Sequence, residues 1–362
     1  MLNGQYEKST TERISLLFIG DIMGHDEQLW SAQDLKTNTW NFDSVFRFIK
    51  PLIEDSDITI GNLEVTLGGS PYKGYPRFSS PAAFAQACSN AGIDVLMTAN
   101  NHSADLGKAG ISGTIKRLDS LNIKHTGSFL NQASRDSLSP LILKKGNISL
   151  ALLNYTFSTN GIKVPPPLIV NPIDKTQITS DIEKAKKLLP DKIIVFIHWG
   201  NEYDTIPSKE QTELSEFLFS QGADIVIGSH PHVIQKVIMF NKEDGKSKII
   251  AYSLGNFVSN QSKPLTEGGL MVKVELTLEN NSVDISDAGY YLTWVYKPII
   301  HYKKKFYILP CSEYEYAPDF FLNQTYYSKM KKFLNISREF LRRQNTDIHE
   351  ITFAKSASIL NN

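Results

Sequence analysis

Cysteine is nearly absent from this 362-residue chain. Only Cys88 and Cys311 occur, too few for a disulfide framework or a zinc–thiolate cluster, although one bridge between them stays open. An excess of either charge is missing as well. The 38 Lys and Arg balance 38 Asp and Glu, so no overall field favours nucleic acid or an anionic membrane surface. Long apolar runs are lacking too. The first, 14–19, is closed by Gly20 and Asp21, far short of the roughly 20 residues of a membrane span, and no other run is long enough. The opening residues carry no apolar stretch of signal-peptide length, so the text as it stands predicts a soluble, cytoplasmic chain without a transmembrane segment. Neither a Gly-x-Ser-x-Gly elbow nor a Gly-x-x-x-x-Gly-Lys phosphate loop is present, which argues against an elbow-type serine esterase and an NTP-driven ligase.

What is present suffices for a large packed core. Apolar residues make up 41% of the chain, which excludes wholesale disorder. Short runs rich in Val, Ile and Leu read as strands covered on both faces: SLLFIG (15–20), DITIG (57–61), DVLMTA (94–99), ISLALLNY (148–155), KIIVFIH (192–198), DIVIG (224–228), KIIAYS (248–253) and LMVKVEL (270–276). Helical patterns lie between them. Ser80 and Pro81 read as N-cap and first helical residue, with Phe84, Ala87 and Cys88 facing inward. Ile111, Ile115 and Leu118 recur at helical spacing, as do Ile178, Ile182 and Ala185. Ser208 and Gln211 form a capping box before the stripe Leu214, Phe217, Leu218. This alternation predicts a layered α/β domain with helices outside the sheets. The Pro-rich stretch 164–172 reads as an extended connection between two halves. We assign 1–285 to the main domain and 286–362 to an extension packing on it, built of edge strands and a basic amphipathic helix over 324–343. Its lysines and arginines read as a solvated face.

The polar residues are informative because of where the strands deliver them. Five apolar runs end in residues of metal-ligand type: Asp21; Glu64; Asn101 with His102; His198; and His230 with His232. Ligands of open α/β sheets gather outside the carboxyl ends of strands, so these five ends point to one place. Taken singly, an Asp after a strand is usually a turn residue, and a lone His is usually a satisfied polar group. The His230-x-His232 pair is stronger, since alternate residues of an extended segment point the same way and Pro231 fixes the backbone between them.

The segments GDIMGHD, GNLEVTL, TANNHSADLGKAG, IHWGNEY, GADIVIGSHPHVIQ and YSLGNF occur in this order over residues 20–258. In that set the chain resembles the CapA family of capsule and poly-γ-glutamate synthesis proteins, within the calcineurin-like metallophosphoesterase superfamily. The resemblance implies a four-layer αββα sandwich of two mixed sheets with a dinuclear metal site between strand ends. Asp21 then matches the first acid, and Glu64, or alternatively Asn62, the acid that bridges both metals. Asn101, His198, His230 and His232 match further ligands, and His102 the catalytic histidine. Two departures stand out: Met23 replaces a ligand histidine, for which His25 is the substitute within reach, and Asn62 replaces an acid. One ion or two could therefore bind. The family is commonly anchored outside the cytoplasmic membrane.

Oxygen and nitrogen donors without thiolate suit Mn, Fe or Zn. Such an ion lowers a water's pKa from roughly 15.7 to about 7, and His102 would protonate the leaving group. Asp105 either orients that imidazole or caps the following turn. Lys73 and Arg77 are candidate contacts to an anionic substrate. Glu202 and Asn256 match family positions beside the pocket and serve either as substrate contacts or as support for the ligands. The expected function is hydrolysis of a phosphoester or γ-glutamyl amide during synthesis of an anionic polymer, in the company of other capsule-synthesis proteins. The alternative is a non-catalytic scaffold of polymer synthesis or export, favoured by the loss of a histidine at Met23.

Overall fold

Runs such as Leu16–Leu17–Phe18–Ile19 place apolar side chains on both faces of a strand, so each face needs a layer to cover it. A computed structural model, describing residues 11–241 and 246–352, supplies those layers. The first sheet contains β1 (Glu12–Ile22), β2 (Ile58–Leu63), β3 (Val95–Met97) and β4 (Lys124–Thr126). The second is built from β5 (Leu141–Lys145), β6 (Ile148–Thr156), β7 (Lys192–His198), β8 (Ile225–Ser229), β9 (Val237–Asn241) and β10 (Ser247–Ala251). The chain then returns to the first sheet through β11 (Asn256–Val258), β12 (Gly268–Glu279), β13 (Ser282–Tyr296), β14 (Tyr307–Pro310) and β15 (His349–Glu350).

The nine-stranded sheet runs β14-β13-β12-β1-β2-β3-β4, with β11 beside β1 and β15 beside β13; the six-stranded sheet runs β9-β10-β8-β7-β6-β5. Both are mixed. The stretch β1-β2-β3-β4 is parallel, as is β6-β7-β8-β10, while β12, β13 and β14 join antiparallel. All eight strands read from the sequence are present.

Leu16, Phe18 and Ile60 of one sheet meet Leu150, Phe196 and Ile227 of the other in the central core. Leu17 and Ile19 face the opposite way, onto Phe84 and Cys88 of α1 (Ala82–Asn90). On the far side, Leu153 and Val195 pack against Ile178 and Ile182 of α2 (Lys175–Lys187) and Leu214 and Leu218 of α3 (Lys209–Gln221). The order is helix, sheet, sheet, helix: the four-layer α/β sandwich expected.

Four local readings are revised. The N-cap of α1 is Pro81, one residue later than expected, and Ser80 Oγ is buried without a partner. The Pro-rich stretch does not divide the molecule; it lies in the crossover from β6 to α2, and Ile169–Val170 within it pairs with Ser128–Phe129. Residues 285 and 286 both lie inside β13, which has β12 and β14 on its two sides and so is no edge strand, whereas β14 ends the sheet as expected. Cys88 and Cys311 are buried and free, with no bridge between them. The helix α4 (Gln324–Gln344) lies where expected and seals the inter-sheet core with Met330, Phe333, Leu334 and Leu341. Among the described residues no helix is long and apolar enough to cross a membrane.

Candidate metal centre

Strand register builds the centre as two facing rows. In the first sheet Asp21 is paired with Asn256 on one side and Asn62 on the other. In the second, His198 lies between Thr156 and Ser229. Glu64 follows the last residue of β2, and His230 and His232 follow β8. The loop after β3 brings Asn101 and His102. It is held by Ser103 Oγ donating to Thr98 O at 2.6 Å, and by Asn154 of the opposite sheet, whose Oδ1 accepts from Ala99 N at 2.7 Å.

These side chains converge. Asn101 Oδ1 lies 2.9 Å from His198 Nε2, and Glu64 Oε1 lies 3.7 Å from both His198 Nε2 and His232 Nε2. The other imidazole nitrogens are spoken for: His198 Nδ1 meets Ser229 Oγ at 2.8 Å, and His232 Nδ1 meets Asp21 Oδ2 and Asn256 Oδ1, each at 3.1 Å. Such contacts fix ring orientation and leave Nε2 aimed inward. Three donor groups form, each with its atoms within 4.8 Å of one another: Glu64, His198, His230; Asp21, Glu64, His232; and Glu202, His230, His232. Glu64 is shared by two of them. Of the two candidate bridging residues, Glu64 is the one common to two groups, whereas Asn62 turns its amide nitrogen onto Asp21 Oδ1 at 2.8 Å and Glu64 Oε2 at 3.4 Å.

The donors fit a cation. Glu64 Oε1 and His230 Nδ1 are buried without a hydrogen-bond partner, an expensive arrangement unless something positive completes it. Burial, with the Asp21 carboxylate beside it, raises the Glu64 pKa well above its usual range. Burial, with the neighbouring histidines, depresses His198 far below its ordinary value and His230 to about 4, so both rings keep a neutral lone pair at neutral pH.

His102 is placed beside the cluster rather than in it. Its Nδ1 lies 2.8 Å from Asp105 Oδ2, which also accepts from Phe78 N at 2.6 Å. Phe78 packs edge-on against the His102 ring, with centroids 4.6 Å apart. Asp105 thus orients the imidazole and leaves Nε2 as its free atom. Phe157, 46% exposed, sits 4.6 Å from the His230 ring and forms part of the rim.

Other expectations are corrected. His25 does not replace the missing histidine: its Nδ1 is engaged by Gln28 Oε1 and Asn260 N, each at 3.2 Å, and it joins none of the donor groups among the described residues. Met23 is a buried core residue packed with the outer-face cluster. Asn256 is fully buried and donates to Gln261 Oε1 and Thr266 O, so it supports His232 and cannot reach a substrate. Lys73 and Arg77 are exposed on the loop that delivers Phe78, with no ion pair among the described residues. The His230–His232 segment is not extended: His230 has φ 102° and His232 φ 59°, strained for residues with a Cβ. Ser229, which holds His198, and Asn154, which holds the loop of His102, escaped the sequence reading. Ser229 had one signal, its place immediately before the His-Pro-His triplet.

The family model described as bacterial capsule synthesis protein PGA_cap matches residues 15–261. The chain is 31% identical over 278 residues to the capsule biosynthesis protein CapA of Bacillus anthracis, covering 73% of this chain and 64% of that protein. It is 28% identical over 291 residues to the PGA biosynthesis protein CapA of Bacillus subtilis, covering 76% of this chain and 72% of that one. Among solved structures, the NAD nucleotidase of Haemophilus influenzae superposes with a TM-score of 0.50 at 13% identity, covering 96% of this chain and 65% of the other. A calcineurin-like phosphoesterase of Bacillus subtilis gives a TM-score of 0.45 at 14% identity, covering 92% of this chain and 100% of the other.

Proposed function

From the premise that this chain belongs to the bacterial capsule synthesis protein family, with a fold of the metallophosphoesterase type, we propose that it is a metal-dependent hydrolase acting in the synthesis of an anionic capsule or poly-γ-glutamate polymer. The observation that carries the reading is the pair of partnerless buried atoms, Glu64 Oε1 and His230 Nδ1, facing the space that His198 Nε2 also faces. Glu64, Asn101, His198 and His230 would hold a divalent cation there, of Mn, Fe or Zn type, and such an ion supplies Lewis acidity and an activated water at neutral pH. His102 Nε2, with Nδ1 fixed by Asp105, would deliver a proton to a leaving group. Arg77 and Lys73 offer exposed cations to an anionic chain beside the Phe78 wall.

The bond cleaved is a phosphoester or a γ-glutamyl amide. Purified protein would be assayed on an aryl phosphate and on γ-linked glutamate polymer, alongside a His198→Ala variant. Turnover of one substrate, lost in the variant together with bound metal, supports the reading; no turnover of either by the metal-loaded wild type sinks it. A second reading, a scaffold of polymer synthesis or export, is favoured by one observation: Met23 fills with apolar core the place of an expected ligand. It predicts that His102→Ala leaves polymer output unchanged.

A further inference from the structure

We propose that Glu202 is itself a metal ligand, forming with His230 and His232 a second, solvent-side cation position in place of the inner one that Met23 and Asn62 impoverish. The proposal rests on the pocket being a metal centre, and it assigns to Glu202 a role different from substrate contact.

The inner position, around Asp21, is crowded by protein donors. Asp21 Oδ1 accepts from Asn62 Nδ2 at 2.8 Å, and Oδ2 faces His232 Nδ1 at 3.1 Å and His230 N at 3.3 Å. Both oxygens already accept from protein donors, so Asp21 anchors the two histidines and has less left for a cation. Met23 points into the core, and His25 is held by Gln28 and Asn260.

The outer position has what the inner one lacks. His232 Nδ1 is fastened by Asp21 and Asn256, which leaves Nε2 free to bind; His230 Nδ1, buried without a partner, can serve only one ion, and given to this one it would leave Glu64, Asn101 and His198 to the other. A carboxylate oxygen of the exposed Glu202 lies within 4.8 Å of donor nitrogens of both rings. The loop bearing it is clamped to the histidine segment. Tyr203 N donates to Pro231 O at 2.8 Å, and Gln235 Nε2 donates to Asp204 O at 2.8 Å. Glu202 lies between two turns of the backbone, Gly200 at φ 85° and Tyr203 at φ 72°, immediately before those two bonds. Tyr203, His230 and His232 all carry a positive φ despite having side chains, and strain held by surrounding bonds is a mark of built sites. A carboxylate exposed to solvent and two imidazoles form a ligand set suited to a transition-metal ion with an exchangeable position.

The test is metal stoichiometry, read without substrate. Chelated, dialysed wild-type protein and its Glu202→Gln and Glu202→Asp variants would be titrated with Mn²⁺ by calorimetry, with electron paramagnetic resonance reporting Mn–Mn coupling. The wild type should bind two equivalents with coupled spectra. Glu202→Gln should keep the tighter equivalent and weaken the other at least tenfold, with uncoupled spectra, and Glu202→Asp should fall between. Thermal unfolding of the chelated variants should match the wild type, since Glu202 is exposed. Two unchanged equivalents in Glu202→Gln overturn the proposal, and so does a single wild-type equivalent that this variant leaves unaltered. No binding at all by the wild type overturns the metal-centre reading, and this proposal with it.

Discussion

Asn62 turns its amide nitrogen onto Asp21 at 2.8 Å, so a neutral donor occupies a place between two acids, Asp21 and Glu64. Substituting Asn62→Asp would remove that donor and add a third carboxylate to a buried cluster. Without metal, the variant should lose roughly 2–4 kcal/mol of stability, as expected for an uncompensated buried charge. Divalent cation should restore much of that loss, because ligand binding to the native state adds to its stability. Melting temperatures with chelator and with Mn²⁺ would check this. The interval between them should widen in the variant, and an equal interval would contradict the account.

Ser229 holds His198 Nδ1 at 2.8 Å, while His198 Nε2 faces Asn101 and Glu64. Ser229→Ala frees the ring to rotate. Loss of such a supporting bond typically weakens metal binding about 10- to 100-fold. Calorimetric titration should show that weakening with unchanged stoichiometry.

His102→Ala should lower turnover by roughly 10²- to 10⁴-fold, the usual contribution of a positioned proton donor, while leaving metal content intact. Asp105→Asn should produce a smaller loss, since the amide oxygen in place of Oδ2 would still accept from Phe78 N and His102 Nδ1. Rate on the cleaved substrate and elemental analysis, measured on the same preparations, separate this outcome from a loss of metal.

His25 carries a pH signature. Burial lowers its pKa from 6.5 to about 4, partly opposed by its bond to Gln28. Above pH 6.5 folded and unfolded chains both hold the neutral ring. As pH falls from 6.5 toward 4 the unfolded chain takes up the proton first, so it binds more protons and stability declines across that window. Urea denaturation between pH 7 and 4.5 should therefore show a shallower decline for His25→Gln than for the wild type. Parallel curves would refute the assignment.

Much of the architecture was legible because both faces of these strands are covered. A run such as KIIVFIH needs no alternation when Val195 faces α2 and α3 while Phe196 faces the other sheet. The convergence of Asp21, Glu64, Asn101, His198, His230 and His232 was legible for a similar reason, since parallel strands deliver their carboxyl ends to one edge. Less visible was anything set by a backbone turn or by the opposite sheet. The positive φ of His230 and His232 has no glycine to announce it. Asn154 supports the His102 loop from the opposite sheet, 55 residues away in sequence from Ala99, and no local pattern encodes that bond. Glu202 was noticed only through a motif, and its closeness to the two histidines depends on the bond between Tyr203 and Pro231.

The two rows of the centre belong to different sheets: Asp21, Glu64 and Asn101 to one, His198, His230 and His232 to the other. Elsewhere in the inter-sheet core the layers meet mainly through apolar side chains, which can slide past one another with little directional penalty. An ion gripped from both sides would act as a rivet, fixing the stagger of one sheet against the other. Its loss should be felt well away from the pocket, as faster amide exchange along β1 and β7 together.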